Sequence, residues 1–303
     1  MYTLDMGKLD KISSYENKVG KNYGDLGNSG EDAKNWGTML KDGRERFNGY
    51  TDRRFIEQVF IEPINRWLAE NKIDRFKIAD FGGDDGFLLN TILQSVKEGV
   101  TKYGYVVDID STGKARIKFK EKHDSKDREN IEYVVSDVVQ TPFDDESLDV
   151  VVSRFTMQYL DEENQDLFLK EVSRVLRKGG LFELVTITES QDNEGLNKIF
   201  MEITAIISGS QDFKRKFPVF GAFSKRRTAA HRYNLRASYG SRLVDFPFSV
   251  EAFAERFKLT DDQIEILYDL YKRKSEEYKD LFSMIDGTLC LMARLLEVRF
   301  IKV

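Results

Sequence analysis

The run Asp80-Phe81-Gly82-Gly83-Asp84-Asp85-Gly86 combines two chemistries: glycines that let a ligand approach bare backbone, and carboxylates that attract cations and repel phosphate. Two further carboxylates close short β-branched runs downstream. Asp108 follows Tyr103 to Val107 and precedes Ile109; Asp137 follows Tyr133 to Val135 and precedes Val138. A dinucleotide site needs G-x-G-x-x-G and an acid about 20 residues on. Here Asp84 and Asp85 fill the turn, and Asp108 lies 26 residues after Gly82. No G-K-[ST] follows, which excludes a P-loop. The residues suit a ligand with an adenosine, a ribose and a positive centre but no phosphate. Asp108 is placed to accept both ribose hydroxyls, Ile109 to face adenine, Asp137 to accept the adenine amino group and Val138 to close the other ring face.

Such carboxylates need strands to carry them. The apolar pair Ile78-Ala79 leads into the glycine turn, and a helical pattern (Leu88, Leu89, Ile92, Leu93, Val96) follows it. Strand, glycine turn and helix open a doubly wound α/β sheet. The unit repeats through Asp108, a basic helix from Thr112 to Lys122, Asp137, and Leu148 to Val152 closing on Ser153-Arg154. Leu167 to Leu176 reads as a helix ended by Lys178-Gly179-Gly180 in a left-handed cap, and Leu181 to Ile187 as the fifth strand. Ahead of the sheet, Phe55, Val59, Ile61, Ile64 and Leu68 space a helix over 52–70, with Pro63 expected to kink or split it. Beyond it come a helix from Asn193 to Ile207, an irregular basic stretch from Gln211 to Arg242, helices from Val250 to Phe257 and Asp261 to about Tyr278, and a final strand after Asp286-Gly287. Thr260 and Gln263 form a capping box for the second of these helices.

The stretch from Lys77 to Ile187 resembles the core of the class I S-adenosylmethionine-dependent methyltransferases. The run from Asp80 to Gly86 is similar to their D-x-G-x-G-x-G motif, with Asp84 in place of the middle glycine; Val106-Val107-Asp108-Ile109 and Ser136-Asp137-Val138 match the next two strand ends. Pro142-Phe143-Asp144-Asp145-Glu146-Ser147-Leu148-Asp149-Val150-Val151-Val152-Ser153 resembles the family's P-F-x-x-x-S-F-D-x-V-x-S segment, and Arg174 to Gly180 its R-V-L-K-P-G-G turn. The resemblance implies a doubly wound, mostly parallel seven-stranded sheet whose last pair is a hairpin including Leu289 to Leu295. An N-terminal helical arm and a helical, irregular insertion before the last strand would complete it. Its hairpin partner is either a strand hidden near Tyr278 to Met284 or a remodelled edge. The cofactor implied is S-adenosyl-L-methionine, held by Asp80, Gly82, Gly83, Gly86, Asp108, Ile109, Asp137, Val138, Ser153 and Phe155.

Four units follow from this reading: 1–72, arm and cap helices; 73–190, cofactor core; 191–286, a helical and basic insertion forming a substrate lid; and 287–303, the last strand. Between Gln211 and Arg242 stand nine Lys or Arg against one acid, Asp212, with six interleaved aromatics. That composition fits a lid over a small acceptor or a single-stranded RNA surface. Tyr23, Trp36, Gln158, Arg227 and Arg232 are the acceptor-binding candidates. His231 and Tyr159 are the candidate catalytic groups, the first as a general base and the second from its place after the fourth strand. A methyltransferase acting on a small molecule is the leading expectation, with RNA methylation and a non-catalytic cofactor-binding or partner-assembly module as alternatives.

Composition narrows the rest. The 303 residues, 41% hydrophobic and 33% charged, describe a globular chain. The single cysteine, Cys290, excludes a disulfide framework, and two histidines exclude a His-rich metal site, so no metal is expected. A reducing, cytoplasmic setting fits. Met1 to Ser14 lacks an apolar signal core, and no run approaches the roughly 18 apolar residues of a membrane helix. The formal charge of −5 averages a cationic insertion against an acidic remainder.

Overall fold

Alternation along the strands sorts their apolar residues onto two faces. Ile78, Val106, Val150, Val152, Leu181 and Val185 join one buried cluster; Ala79, Phe81, Val107, Val151, Phe182 and Leu184 join the other. A computed structural model describes residues 53–110, 113–123, 130–188, 193–208, 230–237, 242–257, 259–285 and 287–303. Five parallel strands, β1 (Arg75–Phe81), β2 (Thr101–Asp108), β3 (Ile131–Val135), β4 (Leu148–Arg154) and β5 (Leu176–Thr188), lie in the order β3-β2-β1-β4-β5. Burial on both faces is what a parallel sheet requires, and it explains why these strands read as continuous apolar runs.

Helix α1 (Arg53–Ile56) passes through a π-helical segment (Glu57–Ile61) into α2 (Glu62–Asn71). Pro63 has no N–H to return to the preceding turn, and the chain answers by widening there instead of breaking. With α3 (Phe87–Ser95), α1 and α2 cover the first face; α4 (Lys114–His123) lies at its β3 edge through Phe119. Helix α5 (Glu162–Val175) covers the other face with Phe168, Leu169, Val172 and Val175. It begins at Asp161, whose carboxylate accepts the Asn164 N–H at 2.9 Å. It ends at Val175, earlier than the sequence suggests, because Leu176 already pairs with Leu148 in the ladder. The next pair is Val150 with Leu181, so Arg177 to Gly180 bulge out of β5 instead of capping the helix. Trp67 Nε1 donates to Gly179 O at 2.9 Å and pins the bulge to α2.

The far side of the sheet is built on β9 (Thr288–Lys302), antiparallel to β5 from Leu181–Ile301 to Thr188–Arg294. Its other side carries β6 (Leu235–Ala237) and β7 (Arg242–Ser249) end to end, giving the seven-strand order β3-β2-β1-β4-β5-β9-β6 with β7 continuing the last lane. Residues 288–293 overhang the end of β5, and there β8 (Phe282–Ile285) pairs with β9 across a tight turn. Both expected solutions for the hairpin partner are therefore present. Strand β8 hides where the sequence reads as helical, and the edge is remodelled by β6 and β7, which the sequence reading left unassigned. Pro247 weakens the strand signal of β7, and an edge lane tolerates it. Helices α6 (Asn193–Ser208), α7 (Val250–Phe257) and α8 (Asp261–Glu277) pack on this overhang, with Phe248 edge-on to Phe200 and stacked on Phe253. The capping box of α8 forms as expected, from Thr260 and Gln263.

Among the described residues no helix is long and apolar enough to cross a membrane, and no group of three or more His, Cys, Asp or Glu is placed to hold a metal ion.

Candidate functional site

Strands β1 and β4 are neighbours although β2 and β3 lie on the other side of β1, so the direction of connection switches between them. Ligands of such sheets bind beyond the carboxyl ends at this switch. The residues there are the glycine turn, Asp108, Asp137 and the segment from Arg154 to Tyr159.

The turn is fixed to β2: Gly82 N and Gly83 N both donate to Val107 O, at 2.8 and 3.2 Å. Gly82 has φ +80, and a Cβ on it would lie 2.0 Å from Thr156 Oγ1. Only glycine fits both the angle and the space. Asp84, where the resembling family has glycine, adopts φ 48 and donates its N–H to Asp108 Oδ2 at 3.0 Å. An aspartate tolerates this left-handed region better than most side chains. Asp108 Oδ1 accepts the Asp110 N–H at 3.0 Å, so backbone amides hold both oxygens of its carboxylate. Asp85 accepts the Phe87 N–H at 3.1 Å, a capping role at the start of α3.

Asp80 differs from its neighbours. It is 1% exposed, and neither carboxylate oxygen has a hydrogen-bond partner. Burial pushes its pKa up to about 7, opposed by nearby Arg154 and reinforced by Asp108, Asp84 and Asp85. Burial also raises Asp108, against the pull of the Asp110 and Asp84 amides. Asp137 is raised by burial too, with its Oδ1 accepting the Val139 N–H at 3.1 Å. A buried, unpartnered carboxylate is costly unless a donor or cation arrives. A cationic ligand without phosphate meets that demand; a diphosphate would be repelled.

At the end of β4, Phe155 adopts φ 58 while its N–H stays in the ladder, donating to Val185 O at 2.8 Å. Strand alternation would aim it at the α5 face, yet its ring packs against the cluster that holds Val152 and Val106. The left-handed angle moves the ring to the face of Asp80. Met157–Tyr159 form a 3-10 turn held from below by Gln165, whose Nε2 donates to Met157 O and Leu160 O at 3.0 and 2.8 Å.

The structure thus brings together Asp80, Gly82, Gly83, Gly86, Asp108, Ile109, Asp137, Val138, Phe155 and Tyr159 at one edge. It corrects several expectations. Ser153 is fully buried and donates to Phe81 O at 2.9 Å, joining β4 to β1. Gln158 is 5% exposed inside the 3-10 turn. His231 and Arg232 are carried to the flank of α5: Arg232 Nη2 pairs with Asp166 at 2.8 Å, and Ser173 Oγ donates to Tyr233 O. Leu235 then pairs with Lys302, level with the starting ends of the parallel strands. Neither His231 nor Arg232 therefore reaches the carboxylates. Tyr23, Trp36 and Arg227 lie outside the described residues. The sequence reading missed Thr156, which wedges against Gly82 and donates to Phe81 O at 3.0 Å, and Arg154, the cation beside Asp80. It also missed Tyr133, whose buried hydroxyl has no hydrogen-bond partner and whose pKa is raised by burial and then by Asp108. Position at a strand end was the available signal for Arg154 and Thr156.

Residues 81–184 match the family model of a methyltransferase domain. The sterol 4-C-methyltransferase strm-1 of Caenorhabditis elegans is 28% identical over 120 residues, which make up 38% of this chain and 35% of that protein. The match thus spans about a third of that curated relative. A methyltransferase-like protein of Bacillus halodurans C-125 superposes with a TM-score of 0.58 at 17% identity, over 80% of this chain and 99% of its own. A geranyl diphosphate methyltransferase solved with S-adenosylmethionine gives 0.52 at 14% identity, over 83% and 86%. At these identities the structures establish the fold.

Proposed function

We propose that this chain, whose residues 81–184 match the methyltransferase-domain model, is a class I S-adenosylmethionine-dependent methyltransferase that transfers a methyl group to an oxygen, nitrogen or carbon nucleophile of a small-molecule acceptor by in-line displacement. The buried, unpartnered carboxylate of Asp80, set among Asp84, Asp85 and Asp108 at the switch between β1 and β4, carries the reading. S-adenosylmethionine supplies a methyl carbon already activated by a positive sulfur, so the protein has mainly to align the nucleophile and exclude water.

In this reading Asp80 and its acidic neighbours favour a cation over the glycine turn, and Gly82 and Gly83 leave backbone bare for close approach. Asp108 takes the ribose hydroxyls on a lone pair that its amide contacts leave open, with Ile109 beside the adenine. Asp137 and Val138 take the adenine edge and face. Phe155 and Tyr159 border the acceptor side. The strm-1 match supports a small, apolar acceptor, and the single cysteine, buried at 290, supports a reducing, cytoplasmic setting. RNA as acceptor draws on the basic stretch 211–242, of which 211–229 and 238–241 lie outside the described residues.

Calorimetry with S-adenosylhomocysteine tests the cofactor claim, and a methyl-transfer screen across sterol, phenol and amine acceptors tests the acceptor class. Failure to bind the product nucleoside would overturn the reading outright.

A further inference from the structure

A second concavity of about 360 Å³ lies at the opposite end of the sheet from the glycine turn. The loop before Leu148, the end of α5, the β5 bulge and the ends of β6 and β9 enclose it. Strand β4 runs from Leu148 to Arg154, which sets this groove about 20 Å from the site above.

Five cationic side chains line it with two acidic ones, and three of the five cations are paired. Asp145 lies 2.7 Å from Arg174, which also pairs with Glu171 at 2.7 Å, and Glu146 lies 3.2 Å from Lys302. Arg232 turns to Asp166, at 2.8 Å. Lys170 and Lys178 are exposed and have no acidic partner among the described residues. The walls are fixed by backbone contacts: Glu146 N to Arg174 O and Val303 N to Asn234 O, each at 2.9 Å. Glu146 and Asn234 both hold left-handed backbone, φ 56 and 59, in this one groove. Asparagine adopts this angle readily, whereas a glutamate there persists only where the surrounding structure over-determines it.

We propose that this groove binds a phosphate group through Lys170 and Lys178, supplied either by a free nucleotide or diphosphate or by an RNA backbone. Ammonium groups recognise phosphate as point charges, and here both acidic side chains of the groove already have a cationic neighbour. The site is independent of the cofactor reading.

The test is titration of the full chain at low salt with inorganic pyrophosphate and, separately, with a single-stranded RNA 12-mer. Wild type, Lys170→Ala/Lys178→Ala and the control Lys97→Ala/Lys120→Ala, which removes equal charge elsewhere, are compared. The expected result is binding of at least one probe, weakened about tenfold in the groove variant and about twofold or less in the control. Pyrophosphate binding identifies a free phosphate ligand. RNA binding alone identifies the backbone source, and its salt slope should fall by about 1.4 in the groove variant. Thermal midpoints and S-adenosylhomocysteine affinity should match wild type, since both lysines are exposed and remote from the turn. No binding of either probe, or equal weakening in groove and control variants, overturns the proposal; loss of S-adenosylhomocysteine binding in wild type bears on the cofactor reading alone.

Discussion

Gly82 and Thr156 are in such close apposition that a Cβ on the glycine would lie 2.0 Å from Thr156 Oγ1, while the same hydroxyl donates to Phe81 O at 3.0 Å. The start of the glycine turn and the segment after β4 are therefore one packed unit, and the ligand edge is shaped by their contact.

Gly82→Ala should destabilise the fold by roughly 1–3 kcal/mol, from the left-handed angle and the clash together. It should also weaken S-adenosylhomocysteine binding. Adding Thr156→Ala removes the two closest atoms, Oγ1 and Cγ2, but leaves the Thr156 Cβ at 2.8 Å and the backbone strain, so the double variant should recover part of the loss. Chemical denaturation of all four members of the cycle measures this coupling; strict additivity would show that the two residues do not press on each other.

Asp108→Ala leaves the N–H groups of Asp84 and Asp110 without their acceptor, at a cost of about 1–2 kcal/mol in stability. Calorimetry should show a loss of product-nucleoside affinity of at least about tenfold, since hydrogen bonds to a charged group carry about 1.5–3 kcal/mol. Asp108→Asn keeps one acceptor oxygen and should fall between the two. Unchanged affinity in Asp108→Ala would remove the ribose assignment.

Asp80 makes stability and binding depend on pH in opposite directions. Its folded pKa is raised from 3.8 to about 7, so its contribution to stability is full below the unfolded value and is lost as pH rises through about 7. Glu183, raised to about 8 by burial against its pairing with Arg299, works in the same direction. Asp80→Asn isolates the first: it should be more stable than wild type at pH 8, by roughly 1–4 kcal/mol, with the gain vanishing near pH 4. Cofactor affinity of the wild type should instead rise across pH 6 to 8, because a cation favours the ionised carboxylate. Unfolding curves for wild type and Asp80→Asn with the same pH dependence would contradict this account.

His231→Ala and Arg232→Ala should leave methyl transfer and cofactor affinity near wild type. Loss of the exposed Arg232–Asp166 pair costs at most about 1 kcal/mol. A large fall in turnover with either variant would restore a catalytic role to this segment.

The sheet and most of the strand-end residues proposed to hold the cofactor were legible in the sequence because each rests on local rules. Continuous β-branched runs mark strands buried on both faces, and Asp80, Asp108 and Asp137 stand at their ends by position alone. Segment 230–237 was not legible, because a basic, aromatic composition does not say which surface it meets. Tertiary pairing with Asp166, Ser173 and Lys302 carries it away from the turn that its charge had suggested it covers.

The sequence by itself determined the doubly wound core, the order of its strand-end carboxylates and a turn unsuited to diphosphate, since periodicity and residue type are properties of the chain. Tertiary structure alone decided that Asp80 is buried without a partner, that Phe155 turns onto the ligand face and that β6, β7 and β8 share one long final strand. It also closed the paired carboxylates of the rear groove while leaving Lys170 and Lys178 open. Burial, handedness and pairing arise between segments distant in the chain, so they exist only once the chain has folded.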